Sequence, residues 1–300
     1  MGSRLGLALG GGGARGLAHL GVLIALTEAE IPISVIAGTS MGAAMGAVRA
    51  IGADLRKVEA LLHCLDLNDL LQVTGSTMRE LQKVIGRSMV EYVRGSSWRD
   101  GDGVPNDLAR LNELYSLLTA NKTFDEVVIP FVVVTADVET GRRVLLDRGK
   151  LYRAITASTA VPGIFSPVAH HGRLLIDGGV VDKLPADVTI DMGATAVIAV
   201  DTGAPADRPV DTCLDALLQA QRATSQQLTQ LQLECAKQRL DGRLLTLRPK
   251  IGWIKMFEFE HTNAAIQAGI DAVEAHLDDI RSLLREVPVS GATRPAQTPH

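Results

Sequence analysis

No apolar run in this sequence reaches the roughly 20 residues that a helix needs to cross a bilayer, which argues against a membrane-spanning helix. The first residues lack the basic stretch and apolar core of a secretory signal. Cysteine is scarce. Cys64, Cys213 and Cys235 are odd in number, far apart and outside any CxxC pair, so neither a disulfide framework nor a zinc site is expected. These absences lead to the expectation of a cytoplasmic protein, free or peripheral at a membrane. Charge excess is missing too: 30 Lys and Arg against 34 Asp and Glu leave a net −4. Such a chain has no global basic field to hold nucleic acid or to bind a membrane mainly by electrostatics.

What is abundant is core material. Apolar residues make up 46% of 300, enough to exclude disorder of the chain as a whole. Short apolar runs alternate with longer helical patterns, the signature of a mostly parallel sheet covered by helices. Strands are expected at residues 4–9, 34–37, 127–135, 142–146, 167–170, 173–176, 195–200 and 243–247, with His171-Gly172 as a hairpin turn. Helices are expected at 14–29, 41–51, 211–240 and 262–285; in the first, Leu17, Leu20, Val22, Leu23 and Leu26 should face inward. Residues 54–121 form a helical insertion broken by a glycine-rich polar loop at 94–103, and 286–300 form a flexible tail. With no repeat and no clean linker, residues 1–285 are expected to make one domain.

The stretch Gly11-x-Gly13-x-x-Gly16 joins the first strand to the first helix. Such a loop can bind pyrophosphate with helix N-terminal amides, or it can aim the same amides at a developing oxyanion. The second strand separates the two readings. A dinucleotide site expects an acidic residue about 20 positions on, holding the ribose. Here Glu28 and Glu30 belong to the end of the preceding helix, and the second strand runs into Gly38-Thr-Ser40-Met-Gly42. A Rossmann protein is the poorer reading.

Gly38-Thr-Ser40-Met-Gly42 matches G-x-S-x-G, the sharp strand-to-helix turn that exposes a nucleophilic serine. The bland reading is a tight βα turn with a capping serine. A nucleophile needs a base, and the histidines are poor candidates. His261 and His276 lie in or beside a C-terminal helical pattern, His170 and His171 sit at a hairpin tip, and His19 lies inside the first helix. A carboxylate that reaches the serine directly would serve instead. Asp177-Gly178-Gly179 ends a strand on an aspartate and then turns on two glycines, although the tripeptide alone fits an ordinary turn or cap equally well.

The three motifs, in this order and spacing, resemble the patatin-like phospholipase family. Similarity extends to residues 157–167 and to Val181-Asp-Lys-Leu-Pro185, covers about residues 4–202, and looks closest to compact bacterial members related to the neuropathy target esterase group. The resemblance implies a three-layer α/β/α sandwich around a mostly parallel sheet. It implies a Ser–Asp dyad, with Ser40 as nucleophile and Asp177 as general base and later acid. It implies an oxyanion loop built by Gly12 and Gly13, with Gly11 as a further donor, and gives Arg15 a place near the oxyanion or as an anchor. Gly16, Gly38, Gly42, Gly178 and Gly179 complete the motifs. No metal and no cofactor are implied. The expected substrate is a lipid ester, phospholipid or lysophospholipid first and short carboxylic esters second, met at a membrane surface. A regulatory or scaffolding protein that keeps the fold without the chemistry is the alternative. Leu61, Leu62, Leu65, Leu67, Leu70 and Leu71 suit a helical core stripe better than an acyl channel. The Gln-rich pattern at 219–238 fits subunit pairing or a surface helix equally, so a homo-oligomer stays open.

Overall fold

The computed structural model of the chain describes residues 4–65, 105–203, 210 and 213–285. Among these, eight strands form one sheet: β1 (Leu5–Leu9), β2 (Val35–Thr39), β3 (Phe131–Asp137), β4 (Arg143–Leu146), β5 (Val168–His170), β6 (Arg173–Asp177), β7 (Ala196–Val200) and β8 (Leu244–Leu247). The run β3-β2-β1-β7-β8 is parallel throughout, while β4 and the β5–β6 hairpin join antiparallel at the β3 end. Helices cover both faces, so the α/β/α expectation holds with a mixed sheet whose centre is parallel.

The size alternation in β1 determines how the two faces are covered. Leu5, Leu7 and Leu9 point to one core, together with Ile36, Ile198 and Val200. Gly6 and Ala8 point to the other, with Val197 and Ala199. On the large-residue face lie α1 (Ala18–Glu28), α2 (Met41–Ala50) and α8 (Thr262–Glu274). On the small-residue face α6 (Ala186–Asp191) comes close, since a Cβ on Gly6 would stand 2.7 Å from the Ala194 Cβ. The long α7 (Cys213–Arg239) packs there through Leu233 and Ala236 and exposes most of its polar surface. The Gln-rich pattern thus lies on a helix that is largely exposed in the single chain.

Helix α1 is buried from Ala18 to Leu26, and all five of its expected inward residues are in the core. It starts later than its pattern, because Gly13–Leu17 form a 3₁₀ turn first. Leu62 is buried in α3 (Leu55–Cys64), with Leu61 and Leu65 packed against the same core, which is the core-stripe reading. Leu67, Leu70, Leu71, the loop at 94–103 and the tail at 286–300 lie outside the described residues. No helix of the described residues is long and apolar enough to cross a membrane.

Three sequence expectations needed correction. The strand expected at 127–135 begins only at Phe131. Pro130 has no N–H for the ladder, and the amides of Val128 and Ile129 instead donate to the Ala50 carbonyl at 2.7 and 3.3 Å. The single helix expected at 262–285 is two, α8 and α9 (Leu277–Leu284). The break falls at His276, whose Nδ1 bonds the Ala272 carbonyl at 2.9 Å and whose amide closes a short turn to Val273. Two helices were missed, α5 (Leu151–Ser158) and α6. With eight and six residues, neither is long enough to show a clear apolar period.

The register around β3 positions the site. Val133 and Val134 pair with β2 on one edge and with β4 on the other. Where β2 leaves the sheet after Thr39, β6 takes over that edge from the opposite direction. Val134 therefore faces Thr39, and the next residue, Thr135, faces Asp177.

Candidate active site

Ser40 follows β2 directly and occupies the N-cap of α2 with φ 56° and ψ −126°. A non-glycine residue in that conformation is strained and persists only where the surroundings hold it. The hold is visible. The Ser40 amide donates to Ser158 Oγ at 2.8 Å, and Ser158 Oγ donates onward to the Val134 carbonyl at 2.6 Å. Thr39 Oγ1 donates to the Asp182 carbonyl at 3.0 Å, tying the same turn to the segment after β6. Gly42 is required by space, since a Cβ there would run into the Leu9 carbonyl at the end of β1.

Asp177 ends β6 and caps a short 3₁₀ turn, accepting from the Gly179 amide at 2.7 Å. Its own amide donates to the Ala160 carbonyl at 2.9 Å. Residues 158–160 thus brace both Ser40 and Asp177. Gly178 presses against the Val134 carbonyl, leaving no room for a side chain. The Ser40 hydroxyl lies near enough to the Asp177 carboxylate to favour its ionised form. Burial pushes the Asp177 carboxyl up from 3.8 to about 6, against the Ser40 hydroxyl, the Gly179 amide and the Lys183 charge, which all favour the ionised form. Both residues are 7% exposed, and both line one cavity.

The glycine loop forms another wall of that cavity, with Gly11, Gly12, Gly13 and Arg15 all lining it. The Gly10 amide donates to the Val200 carbonyl and the Gly11 amide to the Lys183 carbonyl, at 3.1 and 3.0 Å. Gly11 is therefore already engaged and is corrected from donor to wall. The Gly12 and Gly13 amides meet no acceptor among the described residues and remain able to bind a developing anion. Gly13 has φ +57°. Arg15 is buried, and its Nε and Nη1 donate to the carbonyls of Thr202 and Ile254 at 3.0 and 2.9 Å. The guanidinium thus pins the loop to two distant segments. Gly16 lies against Met41 with no space for a Cβ.

The histidines stand apart. His19 is fully buried and held neutral, its pKa lowered to about 4 by burial, and Nε2–H donates to the Gly10 carbonyl at 2.7 Å. His261 stacks edge-on with Trp253, and neither it nor His276 lines the cavity. His170 and His171 sit at the β5–β6 turn, where His171 and Gly172 have φ 47° and 75° as a tight hairpin requires.

Sequence reasoning missed Ser158, Tyr115 and Lys183. Tyr115 on α4 (Ala109–Leu118) lines the cavity together with Thr159. Ser158 and Lys183 fall inside stretches that drew notice as wholes, but nothing local separates a brace or a buried cation from its neighbours.

A family model described as patatin-like phospholipase matches residues 7–190. The lysophospholipase NTE1 of Mycosarcoma maydis is 32% identical over 208 residues, 67% of this chain and 10% of that protein. An uncharacterized NTE family protein of Mycobacterium bovis is 32% identical over 200 residues, 66% of this chain and 48% of its own length. The chain thus spans less than half the length of the curated relatives it matches. In the crystal structure of VipD from Legionella pneumophila the same fold recurs at a TM-score of 0.50 and 16% identity, over 93% of this chain and 67% of that one.

Proposed function

Because the chain belongs to the patatin-like phospholipase family, we propose that it is a hydrolase of lipid acyl esters, working on phospholipid or lysophospholipid through Ser40 and Asp177. The observation that carries this reading is the convergence of Ser40, Asp177, Gly12 and Gly13 on one cavity, with the Ser40 hydroxyl favouring the ionised Asp177 carboxylate. The lysophospholipase name of the fungal relative supports the substrate class.

In the proposed cycle the Asp177 carboxylate takes the Ser40 proton as Oγ attacks the ester carbonyl. Negative charge moves to the carbonyl oxygen, where the Gly12 and Gly13 amides meet it. The tetrahedral adduct collapses, the bond to the alkoxy oxygen breaks, and protonated Asp177 gives its proton to the departing alcohol or lysolipid. Water, deprotonated by Asp177, then attacks the acyl-enzyme, and the fatty acid leaves as Ser40 regains its proton. A base with a pKa near 6 suits this exchange, because it is ionised at neutral pH yet basic enough to accept a proton. The lipid substrate puts the work at a membrane surface, reached from the cytosol. Residues 1–285 act as one hydrolase domain.

Product analysis of lysolipid and diacyl substrates, wild type against Ser40→Ala, tests the reading. Fatty acid release should depend on Ser40, and a fluorophosphonate probe should label wild type alone. A Ser40→Ala protein that keeps parental turnover and labelling would end it in favour of a scaffold.

A further inference from the structure

The cavity at Ser40 differs in charge from the chain around it. The sequence is net −4, yet the cavity wall carries Arg15, Lys183 and Arg222 against a single carboxylate, Asp177. Arg15 is engaged with two carbonyls. Lys183 is held differently. The point that a Cβ on Gly11 would occupy is 3.3 Å from the Ser40 Cβ and 3.9 Å from the Lys183 Cγ, so the lysine stem passes beside the nucleophile. Its Nζ ends 2.8 Å from the corresponding point on Gly203.

Among the described residues, no hydrogen bond or ion pair within 4.0 Å holds that ammonium. Asp201, the carboxylate that acts on it most, is bound to the Gly203 amide at 2.9 Å and to Arg248 at 3.4 Å. Burial pushes the Lys183 pKa down, Asp201 and Asp177 oppose this from a distance, and Arg15 and Arg222 push it down further. A desolvated cation without a direct partner is costly, and an anion entering the cavity removes that cost.

The distances suit a particular anion. In a lysoglycerophospholipid five single bonds of about 1.5 Å separate the scissile ester oxygen from phosphorus, a reach of roughly 6 Å. An ester held at Ser40 would thus carry its phosphorus roughly 6 Å away, in the cavity whose wall Lys183 shares with Ser40. Elsewhere the wall is mostly apolar, with Leu111, Val161, Phe165 and Met256 suited to an acyl chain. We propose that Lys183, with Arg222 beside it in the wall, is the subsite for the phosphodiester of a lysoglycerophospholipid and sets a preference for phosphorylated over neutral acyl esters. This rests on the reading of Ser40 and Asp177 as an esterase dyad.

The test compares kcat/KM for monopalmitoyl glycerophosphoglycerol and for monopalmitin, in wild type, Lys183→Met, Lys183→Arg and Arg222→Met. For Lys183→Met the ratio of the two should fall by about tenfold or more, mainly through KM for the phosphorylated ester. Lys183→Arg should restore most of it, and Arg222→Met should give a smaller fall in the same direction. An unchanged ratio, or equal losses on both esters, overturns the proposal. Should Ser40→Ala cleave both esters at the wild-type rate, the dyad reading fails alone. The subsite is then judged by calorimetric binding of the same lysophospholipid, below its micellar concentration, to Ser40→Ala with and without Lys183→Met. About tenfold weaker binding sustains it, and equal binding overturns it.

Discussion

The backbone amide of Ser40 donates to the side-chain oxygen of Ser158 at 2.8 Å, although the two lie 118 positions apart. The same hydroxyl donates to Val134, so one side chain satisfies a strained amide and a strand carbonyl together. Ser158→Ala would leave both buried groups unpaired, at about 1–3 kcal/mol each. The expected outcome is a lower melting temperature and a fall in kcat with little change in KM, because the elbow loosens while the cavity walls stay. Thermal melts and steady-state kinetics on one ester check it.

As the proposed base, Asp177 should set the acid limb of the pH profile. Its carboxyl must be ionised to take the Ser40 proton, and burial sets its pKa near 6. For the free enzyme, kcat/KM should rise through about pH 6 and level off above it. The groups acting on this carboxyl are the Ser40 hydroxyl, the Gly179 amide and the Lys183 ammonium. Lys183→Met removes the cation that favours ionisation, so the limb should move to higher pH. A profile flat from about pH 4 to pH 8 would contradict the assigned base.

The same burial has a cost for folding. Asp177 is more basic in the fold than the 3.8 of an exposed aspartate, so the fold favours its protonated form. Its stabilising contribution is full below about pH 4 and is lost as pH rises through about 6. Asp177→Asn should therefore melt higher than wild type near pH 8, with the gap closing as pH falls below about 5. The variant should be inactive and more stable, which calorimetry at several pH values can read.

Arg143 on β4 sits between two carboxylates, 2.5 Å from Asp182 and 2.8 Å from Asp187. Asp182 is fully buried, and burial raises its pKa to about 6 while Arg143 holds it down. Arg143→Met would leave an uncompensated buried carboxylate, a loss of about 3–5 kcal/mol while it stays ionised. Because protonation relieves that loss, the destabilisation should be larger at about pH 8 than at about pH 5. Denaturant melts at the two pH values measure the difference.

Helices α1 and α8 touch through Gly21 and Gly269. A Cβ on Gly21 would meet the Ile266 carbonyl, and one on Gly269 the Ala18 carbonyl. Both obstacles are backbone, so neither can swing aside. Gly21→Ala or Gly269→Ala should separate the helices and cost about 1–3 kcal/mol or more. Labelling of Ser40 by a fluorophosphonate in the surviving folded fraction should persist, because the pair lines no part of the cavity.

The readable part of this protein was chemistry confined to a few consecutive residues. The elbow Gly38-Thr-Ser40-Met-Gly42, the glycine loop and Asp177-Gly-Gly179 each carry their own backbone demands. Those demands are local, and so they mark the sequence. Period alone could not locate β3 past Pro130, the break at His276 or the short helices α5 and α6, where single hydrogen bonds and element length decide.

Tertiary structure alone decided what the motifs do to one another. That Ser40 meets Asp177 depends on β3 passing its edge from β2 to β6 between Val134 and Thr135, a register no single segment encodes. That Gly11 is a wall while Gly12 and Gly13 remain donors depends on the Lys183 carbonyl, 172 positions from Gly11. Burial, which raises the pKa of Asp177 and lowers that of Lys183, is likewise set by every element packed around the cavity. Residue identity supplies a group's chemistry, but its pKa and its partner come from neighbours that only the folded chain brings together.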